Sequence, residues 1–67
     1  MIVLNGQDSD LSPGETVAAV LARLGLDLDA RGVAVAVDGQ VIPRGGWESF
    51  ALPADARVEV LTAMQGG

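Results

Sequence analysis

The stretch that decides the fold is Val33-Ala34-Val35-Ala36-Val37-Asp38-Gly39-Gln40-Val41-Ile42-Pro43-Arg44, VAVAVDGQVIPR. Its first five residues alternate large and small with period two. That pattern predicts a strand with a packed Val face and a shallow Ala face. Asp38-Gly39 is a two-residue hairpin turn, because both residues tolerate positive φ. Gln40 to Ile42 returns beside the first strand. Pro43 ends or edges it, having no N–H to give to a ladder.

Downstream, Arg44 to Leu52 reads as irregular, with Gly45-Gly46 and one turn near Trp47 to Phe50. Pro53-Ala54-Asp55-Ala56 reads as a turn. Arg57 to Thr62, RVEVLT, is a last strand with Val58 and Val60 on one face. Upstream, Ser12-Pro13-Gly14-Glu15 carries helix-start chemistry, with Ser12 as N-cap, Pro13 in the first turn and Glu15 completing a capping box. Val17, Val20, Leu21 and Leu24 follow at helical spacing and mark one buried face. Gly25 is a left-handed stop, so the pattern predicts one helix over Pro13 to Leu24. Leu26 to Gly32 is a connecting segment. Before the helix, Met1 to Leu4 is an apolar strand ended by the turn dipeptide Asn5-Gly6, with a return strand over Asp8 to Leu11.

The order is two strands, one helix and three or so strands. It predicts an α+β domain, one mixed four- to five-stranded sheet packed on one main helix. We expect a body over residues 1–62 and a flexible tail over 63–67. At 67 residues a single domain is expected.

Composition narrows the chemistry. The chain has no Cys and no His, so it lacks thiolate ligands, disulfides and the commonest general base. Half of it is hydrophobic (49%), mostly Val, Leu and Ala, and the net charge is −5. Four scattered arginines on an acidic chain do not make a phosphate-binding surface, so nucleic acid is not an expected partner. No apolar run approaches a membrane span and the N-terminus lacks a basic start with an apolar core, so we expect a cytoplasmic protein that binds no membrane. Without an acid–base or nucleophile–base pair, the chain is not expected to be an enzyme.

The closing Met64-Gln65-Gly66-Gly67 adds nothing to a core, since Gly loses most freedom when ordered. The α-carboxylate of Gly67 is the distinctive reactive group. Side-chain-free Gly66 and Gly67 suit a narrow slot, and Thr62 to Gly67, when extended, reaches about 20 Å.

Taken in order, Asn5-Gly6, Thr16-Val17, VAVAVDG at 33–39, VIPR at 41–44, Trp47, VEVL at 58–61 and Gly66-Gly67 resemble the bacterial sulfur carrier family of thiamine thiazole synthesis, commonly called ThiS. The resemblance covers essentially the whole chain and implies the ubiquitin-like β-grasp fold. Two departures stand out: Asp38 replaces the family's usual Asn, and Ala54-Asp55-Ala56 replaces a common Gly-Asp before the last strand. The resemblance implies that the Gly67 carboxylate is adenylated with ATP used by a partner, then converted to a thiocarboxylate that donates sulfur to the thiazole ring. No cofactor is expected to be bound. Implied partners are a ThiF-type adenylyltransferase, a ThiG-type thiazole synthase and a sulfur donor such as a cysteine desulfurase, with the free carrier a monomer. Met64, Gln65 and Gly66 would be read as the tail. Other Gly-Gly carriers, the small subunit of molybdopterin synthase or a tRNA-thiolation carrier, stay open, as does a non-catalytic β-grasp binding module.

Among the remaining residues, Ala34, Ala36, Leu61 and Ala63 form a candidate flat docking patch. The alternative is packing under the connecting segment. Arg44 is assigned a local role against a carboxylate such as Glu48, in preference to pairing with an acidic group on a partner. Trp47 and Phe50 are assigned to closing the core edge, and Asp8, Asp10, Asp27 and Asp29 to solvated surface. No metal site is expected.

Overall fold

The computed structural model describes residues 1–27 and 31–63. The elements are β1 (Val3–Leu4), β2 (Gln7–Asp8), α1 (Val17–Arg23), β3 (Val33–Val37), β4 (Gln40–Val41), a short 3-10 turn (Arg44–Gly46) and β5 (Arg57–Thr62). They form one five-stranded sheet in the order β2-β1-β5-β3-β4. β1 and β5 run parallel, and the other neighbours are antiparallel. With one helix on one face, this is the α+β, ubiquitin-like β-grasp arrangement expected from the sequence.

The alternation in β3 sets the sheet's two faces. Val35 lies opposite Val60 and Val37 opposite Val58, and all four are buried. Ile2 joins them from the start of the chain, and Val17, Val20 and Leu21 close the core from α1. Removing each such side chain from water contributes about 1.5–3 kcal/mol, which is how a chain without disulfides holds together. Both hairpin turns form as expected, with Asn5 and Asp38 each at φ 51°. That positive φ at the first turn residue matches the right-handed twist of the strands.

The helix is shorter than the sequence predicts. It starts at Val17, not Pro13, and its N-cap is Thr16, whose hydroxyl accepts from the Ala19 N–H at 3.1 Å, not Ser12. Gly14 sits at φ 93°, which a right-handed helix cannot contain. The N–H groups of Gly14, Val17 and Ala18 instead donate to the carbonyls of Leu52, Phe50 and Trp47. Tertiary bonds to the 47–52 segment thus take the donors a longer helix would leave unpaired. Half of the predicted capping box survives in the turn itself: Glu15 Oε2 accepts from the Ser12 N–H at 2.6 Å. Leu24, expected in the buried stripe, is 44% exposed at the helix end.

The return strand of the first hairpin is Gln7–Asp8 rather than 8–11. Ser9 then bonds back to the Ile2 carbonyl through its N–H and its hydroxyl, and Leu11 turns into the core. The turn expected near 47–50 begins earlier, at Arg44. Trp47 is buried, and its indole N–H donates to the Ile42 carbonyl at 2.8 Å. The half-buried Phe50 packs on the same core. Arg44 does act locally, stacking its guanidinium 4.7 Å from the Trp47 ring centre. Asp8, Asp10 and Asp27 are exposed, and Asp10 pairs with Arg23 at 2.6 Å. Asp29 and part of the 26–32 connection lie outside the described residues.

Candidate functional site

β5 is the central strand, and residues 63–67 follow directly from its end. Its ladder with β1 covers Arg57 and Val58, while its ladder with β3 covers Val58 through Thr62. Between these, Asn5 does two jobs. Its N–H donates to the Val58 carbonyl at 2.8 Å. Its side-chain oxygen accepts the Val60 N–H at 2.8 Å, standing in for a further residue of β1. The strand that leads to the tail is therefore held on both edges until its last two residues.

The hold continues one step past the strand. The Ala63 N–H donates to the Gly32 carbonyl at 2.6 Å, next to the last laddered pair, Val33 and Thr62. Met64, Gln65, Gly66 and Gly67 lie outside the described residues.

On the sheet face away from α1, the register gathers the expected patch. Ala34 lies opposite Leu61, and Ala36 lies opposite both Glu59 and Val41. Leu61 is 68% exposed and Val41 is 70% exposed. Two exposed large apolar side chains thus share this face with Ala34, Ala36 and the exposed Glu59. Ala63 continues two residues beyond Leu61. Val41 was not among the residues assigned from sequence, yet hairpin arithmetic identifies it. A two-residue turn at 38–39 forces Val37 against Gln40 and Ala36 against Val41. Gly32 was missed as well, and no local pattern announces it. Its role appears only when the end of β5 is laid beside it.

Among the described residues no cluster of three or more acidic, His or Cys side chains is placed to hold a metal ion. Among them too, no helix is long and apolar enough to cross a membrane.

No curated protein matches the chain. Among solved structures, it is similar to a thiamine biosynthesis protein (ThiS) from Geobacter metallireducens, at 26% identity and a TM-score of 0.74, over 98% of this chain and 97% of that one. The model of the ThiS family matches residues 2–67. Since that match takes in the core strands, the open face and the closing glycines together, the chain belongs to the ThiS family.

Proposed function

We propose that this protein is a sulfur carrier for thiamine biosynthesis, a cosubstrate modified by other enzymes, with Gly67 as the modified residue. The observation that carries the reading is the family match running from the first strand through Gly66-Gly67, on a fold whose central strand leads into that segment.

The chemistry follows from the group. An α-carboxylate has a pKa of about 3.3–3.7 and is ionised at neutral pH, and its charge resists nucleophilic attack. A ThiF-type adenylyltransferase would bring ATP. A carboxylate oxygen attacks the α-phosphate, pyrophosphate leaves, and an acyl-adenylate forms. A sulfur nucleophile then attacks the acyl carbon: the C–S bond forms, the C–O bond to AMP breaks, and AMP departs with the electron pair. Where the donor is a persulfide, as a cysteine desulfurase offers, a thiol reduces the resulting S–S bond. The thiocarboxylate on Gly67 is handed to a ThiG-type thiazole synthase.

The body's part is to present the tail. Ala34, Ala36, Leu61 and Ala63, with Val41, form the face we assign to partner docking. Met64, Gln65 and Gly66 are assigned to recognition inside the partner's slot, where a side chain on Gly66 would obstruct entry. The reading places the protein in the cytoplasm, where ATP is available.

Growth tests this directly. A strain of the source organism lacking the gene should require thiamine, and the intact gene should relieve the requirement. Alleles lacking Gly66 and Gly67 should not. Relief by the truncated allele, or a requirement met by a different sulfur-containing cofactor, overturns the reading.

A further inference from the structure

The contact between Gly32 and Ala63 has two parts that act together. The Gly32 carbonyl accepts the Ala63 N–H at 2.6 Å. A Cβ placed on Gly32 would also lie 2.9 Å from the Ala63 Cβ, closer than two such atoms tolerate. Gly32 has φ 74°, a conformation that side chains disfavour. Space and backbone angle therefore both call for glycine here. The two demands can be separated experimentally, because only the first involves residue 63.

The location gives the contact its meaning. It sits one step past the last β3–β5 pair, Val33 and Thr62, and Ala63 is the last described residue before the tail. It adds little to the core: Gly32 and Ala63 are both exposed. What it fixes is the point from which the tail departs. With the contact closed, four residues remain beyond Ala63. With it open, this tie on the Ala63 backbone is lost, and a partner enzyme must supply the order it gave.

We infer that Gly32 is a positioning residue for sulfur transfer, clamping Ala63 so that the tail leaves the sheet at a fixed point. The inference rests on the carrier reading of the tail. Fixing one backbone residue changes an equilibrium about five- to thirtyfold, and that is the expected effect on recognition.

The test uses the full chain and its adenylyltransferase. Carrier KM and kcat are read by ATP–pyrophosphate exchange, alongside thermal unfolding and hydrogen exchange at the Ala63 amide. Gly32→Ala should raise the carrier KM about five- to thirtyfold, leave kcat nearly unchanged at saturation, and abolish protection of the Ala63 amide. Ala63→Gly alone should behave nearly as the parent. The double variant Gly32→Ala/Ala63→Gly should recover most of the lost KM and the amide protection. It still carries the positive-φ strain, so it should melt like Gly32→Ala. A merely structural role predicts the opposite, with KM following the melting temperature. A double variant as impaired as Gly32→Ala, or a Gly32→Ala variant with parental KM and amide protection, overturns the clamp. Failure of the parent chain to be activated at all refutes the carrier reading instead, and Ala63 exchange then still decides whether Gly32 clamps it.

Discussion

Replacing Asn5 tests how the strand that leads to the tail is held. This residue combines a positive φ of 51° with a side-chain bond to the Val60 N–H at 2.8 Å. Three substitutions take the two contributions apart. Asn5→Asp keeps an acceptor and tolerates the left-handed conformation, so its stability should stay within about 0.5 kcal/mol of the parent. Asn5→Gly keeps the conformation but leaves the Val60 N–H, on a residue only 7% exposed, without its acceptor. An unsatisfied group of that kind costs about 1–3 kcal/mol. Asn5→Ala loses the acceptor and adds left-handed strain of about 1–2 kcal/mol. A domain of this length has a total stability of roughly 3–10 kcal/mol on a per-residue scale, so Asn5→Ala, losing about 2–5 kcal/mol in all, should give up roughly half of it. Urea unfolding followed by circular dichroism reads the order. With a slope of about 1 kcal/mol per M, Asn5→Gly should lower the midpoint by about 1–3 M. The reasoning fails if Asn5→Asp falls as far as Asn5→Gly, or if Asn5→Ala is no worse than Asn5→Gly.

Trp47→Phe removes the donor to the buried Ile42 carbonyl; a loss of about 1–3 kcal/mol is expected, read as a thermal midpoint lower by at least about 4 °C. Leu61→Asp, on a side chain 68% exposed, should leave stability within about 0.5 kcal/mol yet raise the carrier's KM with its adenylyltransferase about tenfold, the scale of an interface hot spot. The Met1 amino group pairs with the Asp55 carboxylate, chiefly through a hydrogen bond and then through charge, and holds that carboxyl below its ordinary value. A lowered pKa stabilises the fold above the unfolded value of about 3.9 and loses that contribution as pH falls through the folded value; because both groups are exposed and solvent screens the pair, Asp55→Asn should lower stability only slightly at neutral pH and leave the acid limb of an unfolding titration nearly unchanged.

The sheet was legible in the sequence because its signals are local. The Val-Ala alternation, two turn dipeptides and the period-two pattern of RVEVLT each fix an element and a face without help from elsewhere. β3 and β5 accordingly match their predicted bounds. The helix start was misplaced because Ser12-Pro13 gives the strongest local cap signal, whereas the Leu52 and Phe50 carbonyls decide where the donors go. No residue within the window 12–17 carries that information. The same holds for the site. Ala34, Ala36 and Leu61 follow from strand phase, while Asn5 as the acceptor for Val60 spans 55 positions. Gly32 against Ala63 likewise needs the folded register. Arg44 takes a local role as expected, and one of its contacts is the Trp47 ring, which a reading by charge alone passes over. Residues 64–67 are assigned the proposed chemistry from their residue types and the family match.

The most direct measurement is the intact mass of the chain after incubation with ATP, the adenylyltransferase and a sulfur donor, with fragmentation to locate the change. Sulfur carriage predicts a gain equal to replacing one oxygen by one sulfur, confined to Gly67 and absent when ATP is withheld. An unchanged mass where another carrier of the family is converted, or a gain placed anywhere other than Gly67, would contradict it.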